Sequence, residues 1–144
     1  MCLLDRNGDL RFLYAGQMTE QAEVEAYLEE NGVRFSLAFG PVLVDNYEVI
    51  PHTWYGVGEI TEGYARAALL QMDELHYIVV TANTTGPHQE IPTVEQFRKN
   101  IVATGCRMAY SLDGGQTATI VMNDELVNRP VYGQQRKISD IIYF

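Results

Sequence analysis

The chain has 144 residues, 47% of them hydrophobic and 20% charged, with a formal net charge of −9. That length suits one domain able to bury a core without staples, and the acidic balance argues against nucleic acid as a partner, since phosphates would be repelled rather than neutralised. No run approaches the ~18 consecutive apolar residues a spanning helix needs, and Met1-Cys2-Leu3-Leu4-Asp5-Arg6 reads as no signal peptide because polar residues follow at once.

Asn7-Gly8 lies between Cys2-Leu3-Leu4 and Leu10 to Tyr14, and Asn-Gly between apolar runs predicts a hairpin. Thr19 is placed to cap a helix running to about Asn31, with Val24, Tyr27 and Leu28 on one apolar face and Gly32 as its stop. Glu23, Glu25, Glu29 and Glu30 read as a solvated face of that helix. Val33 to Phe39 alternates as a half-buried strand, broken at Gly40-Pro41 and resumed by Val42-Leu43-Val44. Asp45-Asn46 turns the chain into Tyr47 to Ile50. The stretch from His52 to Glu59 is irregular, aromatic and glycine-rich, the kind of loop on which binding residues sit.

Tyr64 to Met72 and Leu75 to Thr81, joined by Asp73-Glu74, predict an antiparallel pair, and Tyr77-Ile78-Val79-Val80 predicts burial of the second strand on both faces. His76 at its entrance reads as structural. Asn83-Thr84-Thr85 matches a glycosylation acceptor, a weak signal outside a secretory setting. Thr93-Val94-Glu95-Gln96 is a capping box, opening a helix to about Thr104 that buries Val94, Phe97, Ile101 and Val102. Cys2 and Cys106 are too few for a disulfide framework or a metal motif and read as small buried hydrophobes. No metal site and no cofactor is expected. The sum is a single α+β domain over residues 1–144, built on one large mixed, mainly antiparallel sheet with two main helices.

The stretch with most chemical content is Tyr110-Ser111-Leu112-Asp113-Gly114-Gly115-Gln116-Thr117, between a strand at Arg107 to Tyr110 and another at Thr119 to Met122. One carboxylate at a strand end beside two glycines fits a ligand site, because glycine lets backbone approach a ligand closely. Asp-Gly is equally a strong hairpin signal, and a plain tight turn accounts for the same residues.

From Gly105 onward the sequence resembles the phosphodiester glycosidase family, whose relatives include bacterial proteins of exopolysaccharide biosynthesis. Asp113-Gly114-Gly115 matches the family's Asn-Leu-Asp-Gly-Gly-Gly-Ser stretch, Leu126-Val127-Asn128-Arg129-Pro130 its following excursion, and Arg136-Lys137-Ile138-Ser139 its Arg-x-Val-Ser ending. Upstream, Phe39-Gly40-Pro41-Val42-Leu43 is similar to its Phe-Gly-Pro-x-Leu stretch, and Pro51-His52-Thr53 to Gly56 falls where the family has Pro-Arg-Thr-Ala-x-Gly. There are departures. His52 replaces an arginine, Thr81 and Asn83 stand where many members carry an acid and a base, and Ser111 and Gln116 replace an asparagine and a third glycine. The family's early Asn-Gly-Gly-Phe-Phe segment is not present, so the chain resembles roughly the C-terminal two-thirds of such a domain.

The resemblance implies a hydrolase that releases a sugar from a sugar-1-phosphodiester such as GlcNAc-1-phosphodiester, in polysaccharide or glycoconjugate processing. Asp113 would act as base, nucleophile or sugar-hydroxyl anchor. Arg136 would neutralise the leaving phosphate by bidentate contact, and the N–H groups around Gly114 and Gly115 would form an anion nest. Gln116, Thr117 and Ser139 would line the pocket, and His52, when protonated, would stand in for the missing arginine. Glu59 is a second candidate carboxylate, with a solvated loop acid as its plain reading. Arg136 has a plain reading too, a surface pair with Asp140 or Glu125. The alternative function is a non-catalytic relative that binds glycan phosphate or mediates assembly, with an open sheet edge offering a homodimer or partner-chain contact. Family members commonly work outside the cytoplasm, whereas the chain itself carries no export signal to place it.

Overall fold

A computed structural model of the chain describes residues 1–51, 61–83 and 91–144. His52 to Glu59 and the loop from Thr84 to His88 therefore lie outside the described residues. Among the described residues ten strands and two α-helices follow in chain order: β1 (Cys2–Leu4), β2 (Leu10–Phe12), α1 (Gln21–Glu30), β3 (Phe35–Leu37), β4 (Val42–Asp45), β5 (Glu48–Val49), β6 (Arg66–Asp73), β7 (His76–Ala82), α2 (Val94–Val102), β8 (Met108–Leu112), β9 (Val121–Met122) and β10 (Glu125–Leu126). The α+β class holds. The large sheet has five strands in the order β5-β4-β8-β6-β7, with a three-stranded sheet β2-β1-β3 and a two-stranded β10-β9 beside it, every pairing antiparallel.

The Asn7-Gly8 hairpin forms as expected, with Cys2 opposite Phe12 and Gly8 at a φ of +86°. The acidic helix starts one residue later than its Thr19 cap implies. Glu20 is the N-cap and makes no side-chain capping bond. Its C-terminus is closed instead. Gly32 at φ +58° donates to Glu29 O (3.0 Å), Val33 donates to Leu28 O (2.9 Å), and the Arg6 guanidinium donates to the carbonyls of Glu29, Glu30 and Asn31.

Val33 to Phe39 yields only the three-residue β3, mostly exposed, because the chain leaves this sheet at Gly40-Pro41 and enters the large one. Asn46 and Tyr47, both at positive φ, form the tight turn between β4 and β5. The capping box of α2 is complete, with Thr93 accepting from Gln96 N–H and Gln96 accepting from Thr93 N–H (2.8 Å). Val94, Phe97 and Ile101 are buried as expected, whereas Val102 points outward.

Two-face burial belongs to β6, not β7. Arg66 to Gln71 are all buried, since β6 runs between β8 and β7 and is covered on both sides. β7 is an edge strand and only half-buried, so its Tyr77-Ile78-Val79-Val80 run has one covered face. On one side of the large sheet α2 packs Val94, Phe97 and Ile101 on Val44, Ala68, Leu70 and Ala109. On the other, Cys2 and Leu10 of the hairpin pack on Val42, Leu69, Met108 and Tyr110, and the Phe12 and Tyr110 rings stack at 5.8 Å. Burial pushes the Cys2 thiol up to about 12 and raises that of Cys106, which suits inert core residues. Among the described residues no helix is long and apolar enough to cross a membrane.

The hairpin is fastened by polar groups as well. Gln71, fully buried in β6, accepts from Leu10 N–H (2.8 Å) and donates to Asp9 Oδ1 (3.0 Å) and Gly8 O (3.4 Å). Arg107 pairs with Asp9, and Tyr77 donates to Gly8 O. Asp5, 1% exposed, accepts from the N–H groups of Asn7 and Asp9 (both 2.9 Å) and from Arg11 Nε (2.7 Å).

Replacing Gln71 by Met keeps the volume but leaves the buried Leu10 N–H without its partner and removes one of the two donors to Asp9 Oδ1. The expected loss is about 2–4 kcal/mol of unfolding free energy in a denaturant titration, and a change within experimental error would show that the bonds do not couple the sheets.

Burial pushes the Asp5 carboxyl up, but Arg11 and the N–H groups of Asp9 and Asn7 outweigh it and hold the group below its ordinary value. A group with a depressed folded value contributes stability above its unfolded pKa of about 3.9 and loses it as pH falls through the lower folded value. Stability measured from about pH 6 downward should therefore drop on the acid side in the native protein, and less steeply in Asp5→Asn.

Candidate active site

The candidate loop begins where β8 ends. Ser111 is bracketed by the Gly40-Pro41 switch, since Gly40 N–H donates to Ser111 O (3.1 Å) and Ser111 N–H to Pro41 O (3.0 Å). The next turn of chain presents Asp113, half-buried, at the end of the large sheet. The plain Asp-Gly hairpin, the alternative to a ligand site, does not form between β8 and β9. Gly115 to Thr117 make a single 3-10 turn instead, and β9 pairs only with β10.

Each glycine has its own cause. A Cβ on Gly114 would lie 2.3 Å from the Ala65 carbonyl oxygen, so only glycine lets this backbone close against the start of β6. Gly115 sits at φ +62° with its nearest outside neighbour, Tyr64, at 4.0 Å, so there the requirement is conformational rather than steric. Their N–H groups are also engaged. Gly114 N–H donates to Asp113 Oδ1 (2.8 Å) and Gly115 N–H to Ala65 O (2.8 Å). The expected anion nest is thus filled from within the protein. Asp113 keeps Oδ2, which accepts no hydrogen bond among the described residues.

The side chains after the turn serve partly as struts. Thr117 Oγ1 donates to Gly114 O (2.7 Å) and Thr119 Oγ1 to Gln116 O (3.2 Å). Gln116 Nε2 donates to Gln134 O (3.3 Å), bringing the segment before Arg136 against the loop. Arg136 is exposed and takes part in no ion pair among the described residues, so neither the pair with Asp140 nor that with Glu125 forms. Ser139 is exposed and its hydroxyl donates to Asp140 Oδ1 (3.3 Å). The structure therefore brings Asp113, Gly114, Gly115, Gln116 and Thr117 into one turn, with Arg136 two residues beyond a tethered carbonyl. Among the described residues no hydrogen bond joins Ser139 to that turn. His52 and Glu59 fall outside the described residues.

The structural roles of three residues escaped the sequence reading. Arg66, 8% exposed, lies at the start of β6 with its Cα 3.8 Å from the position a Gly114 Cβ would take. Its guanidinium donates to Glu62 O (2.9 Å) and stands over the Tyr64 ring. A lone arginine inside Ala65-Arg66-Ala67-Ala68-Leu69-Leu70 was a legible signal of a special position. Asn83 and Asn128 bond to each other (3.0 Å) and to Ala118 O behind the turn. The Asn83 amide nitrogen, which a glycan would need, is thereby held in a protein contact. Among the described residues no group of three or more His, Cys, Asp or Glu side chains is placed to hold a metal ion.

A sequence model of the phosphodiester glycosidase family matches residues 4–144. No curated protein matches the chain.

The two glycines separate by magnitude. Gly115→Ala is expected to cost about 1–2 kcal/mol for the left-handed backbone alone. Gly114→Ala adds a backbone clash, should cost more in thermal unfolding, and should displace Asp113. Equal costs would show that the contact with Ala65 relaxes freely.

Proposed function

The chain belongs to the phosphodiester glycosidase family, and on that premise we propose that it hydrolyses a sugar-1-phosphodiester, such as a GlcNAc-1-phosphodiester, at the turn that carries Asp113. The observation that supports this reading is the construction of the turn. Asp113 is fixed through Oδ1 by Gly114 N–H while Oδ2 stays available, and Gly114 closes against β6 so that the carboxylate stands at a rigid sheet end.

Hydrolysis breaks the bond between the anomeric carbon and the phosphate oxygen. Water supplies hydroxyl to the sugar, and the phosphomonoester departs with the bonding electron pair. Charge at the sugar is oxocarbenium-like, and a carboxylate can activate water, attack carbon or anchor a hydroxyl. Asp113 Oδ2 is the atom for that work. The leaving phosphate needs neutralisation more than a proton, and the exposed Arg136, behind the carbonyl to which Gln116 is tethered, is the cation assigned to it. Gln116 Oε1 and the Thr117 hydroxyl are the polar groups beside it, and Ser139 and His52 complete the assignment from the resemblance.

A second reading, of a relative that binds glycan phosphate without turnover or mediates assembly, draws on a specific observation. Both glycine N–H groups and the Asn83 carboxamide are engaged internally, which leaves few donors for the transition state.

The two readings separate in one assay. The protein is expected to release GlcNAc from a GlcNAc-1-phosphodiester, Asp113→Asn to lower kcat at least about 100-fold, and Arg136→Met to raise KM about tenfold. A folded wild-type protein that binds the phosphodiester without releasing sugar would sink the enzymatic reading and support the second one.

A further inference from the structure

The turn bearing Asp113 is anchored by the large sheet on one side only. β8 enters it, but the chain leaving it does not pair with β8 or β6, and among the described residues β9 pairs with β10 alone. Among the described residues, ladder bonds are therefore missing for Ala118 O and Ile120 N–H, although Ile120 O accepts from Val127 N–H (2.8 Å). Two asparagines supply them. Asn128 Oδ1 accepts from Ile120 N–H (2.6 Å), and Asn128 Nδ2 donates to Ala118 O (2.8 Å) and Asn83 Oδ1 (3.0 Å). Asn83 Nδ2 donates to the same Ala118 O (3.1 Å). Ala118 is fully buried, and both lone pairs of its carbonyl are taken by side-chain amides.

We infer that Asn128, braced by Asn83, is a positioning residue for Asp113. The pair pins the exit of the Gly115–Thr117 turn between the end of β7 and the end of β10, and so sets the distance between Asp113 and the residues Gln116 and Thr117. A carboxamide is the one short side chain that offers an acceptor to Ile120 and two donors to Ala118 and Asn83 at once. Asn128→Asp preserves the shape and the acceptor, removes both donors, and sets a carboxylate against two oxygens. The turn then stays present but its exit is released, and small misplacements of a catalytic group cost rate rather than ground-state binding. The inference rests on the glycosidase reading above.

The test uses the whole chain and a GlcNAc-1-phosphodiester. Asn128→Asp is expected to lower kcat at least about tenfold with KM changed less than about threefold. Asn83→Ala should give a smaller fall in the same parameter, and the double variant should be little worse than Asn128→Asp alone, because both act through one bracket. Hydrogen exchange at the amides of 115–120 should speed up in both single variants while the amides of β6 and β8 stay protected. If Asn128→Asp does not fold, Asn83→Ala carries the same comparison. Wild-type turnover with unchanged kcat in the variants, or an effect confined to KM, overturns this inference and leaves the glycosidase reading intact. Wild-type protein without turnover overturns both.

Discussion

A neutral amide near the C-terminal end of β6 holds the layers in register. Gln71 has no access to water, so its oxygen and nitrogen must find partners inside, and they find them on the hairpin: Leu10 N–H, Gly8 O and the Asp9 carboxylate. Apolar packing of Cys2 and Leu10 on Leu69 and Tyr110 brings the two sheets together without choosing a register. Directional bonds choose it. Asp9 is then a shared acceptor for Gln71 and Arg107, which makes the hairpin loop the meeting point of β6 and β8. Each of these groups would be costly to bury alone, so the network is stabilising only as a whole.

The same strand governs the candidate site at its other end. Ala65 O receives Gly115 N–H and forbids a side chain on Gly114, and Arg66 follows directly. β6 thus fixes the hairpin through Gln71 and the Asp113 turn through Ala65, with a run of small residues, Ala65, Ala67 and Ala68, letting neighbouring backbone come close between them. A strand buried on both faces is the stiffest platform available, which is where a site needing fixed geometry gains most. Residues of β7 with higher β propensity were the more obvious candidates for that central place, yet they occupy the edge.

Local chemistry was legible wherever a short motif has one solution. Asn7-Gly8, the Thr93-to-Gln96 capping box and Gly32 all formed as expected, because each satisfies backbone groups within a few residues. Decisions made at long range were not legible. Val33 to Phe39 and Val42 to Val44 read as one interrupted strand, but they belong to different sheets, and nothing nearby in the chain states which neighbour each will meet. The Asp113 motif lies between these cases. Its residues could be picked out, and the choice between hairpin and 3-10 turn was settled by a carbonyl some fifty positions away.

Roles within that motif were harder still to read than its location. Adjacent glycines suggested free N–H groups for an anion, but the same absence of a Cβ allowed the loop to pack so closely on β6 that the N–H groups met protein oxygens instead. Asn83 shows the complementary effect. Its short carboxamide reaches Ala118 O and Asn128 and becomes part of the scaffold. Of the arginines near this turn, Arg66 stands over the Tyr64 ring while Arg136 stands in solvent. In a chain of net charge −9, that exposed arginine is the cation to which the glycosidase reading proposed above assigns an incoming anion.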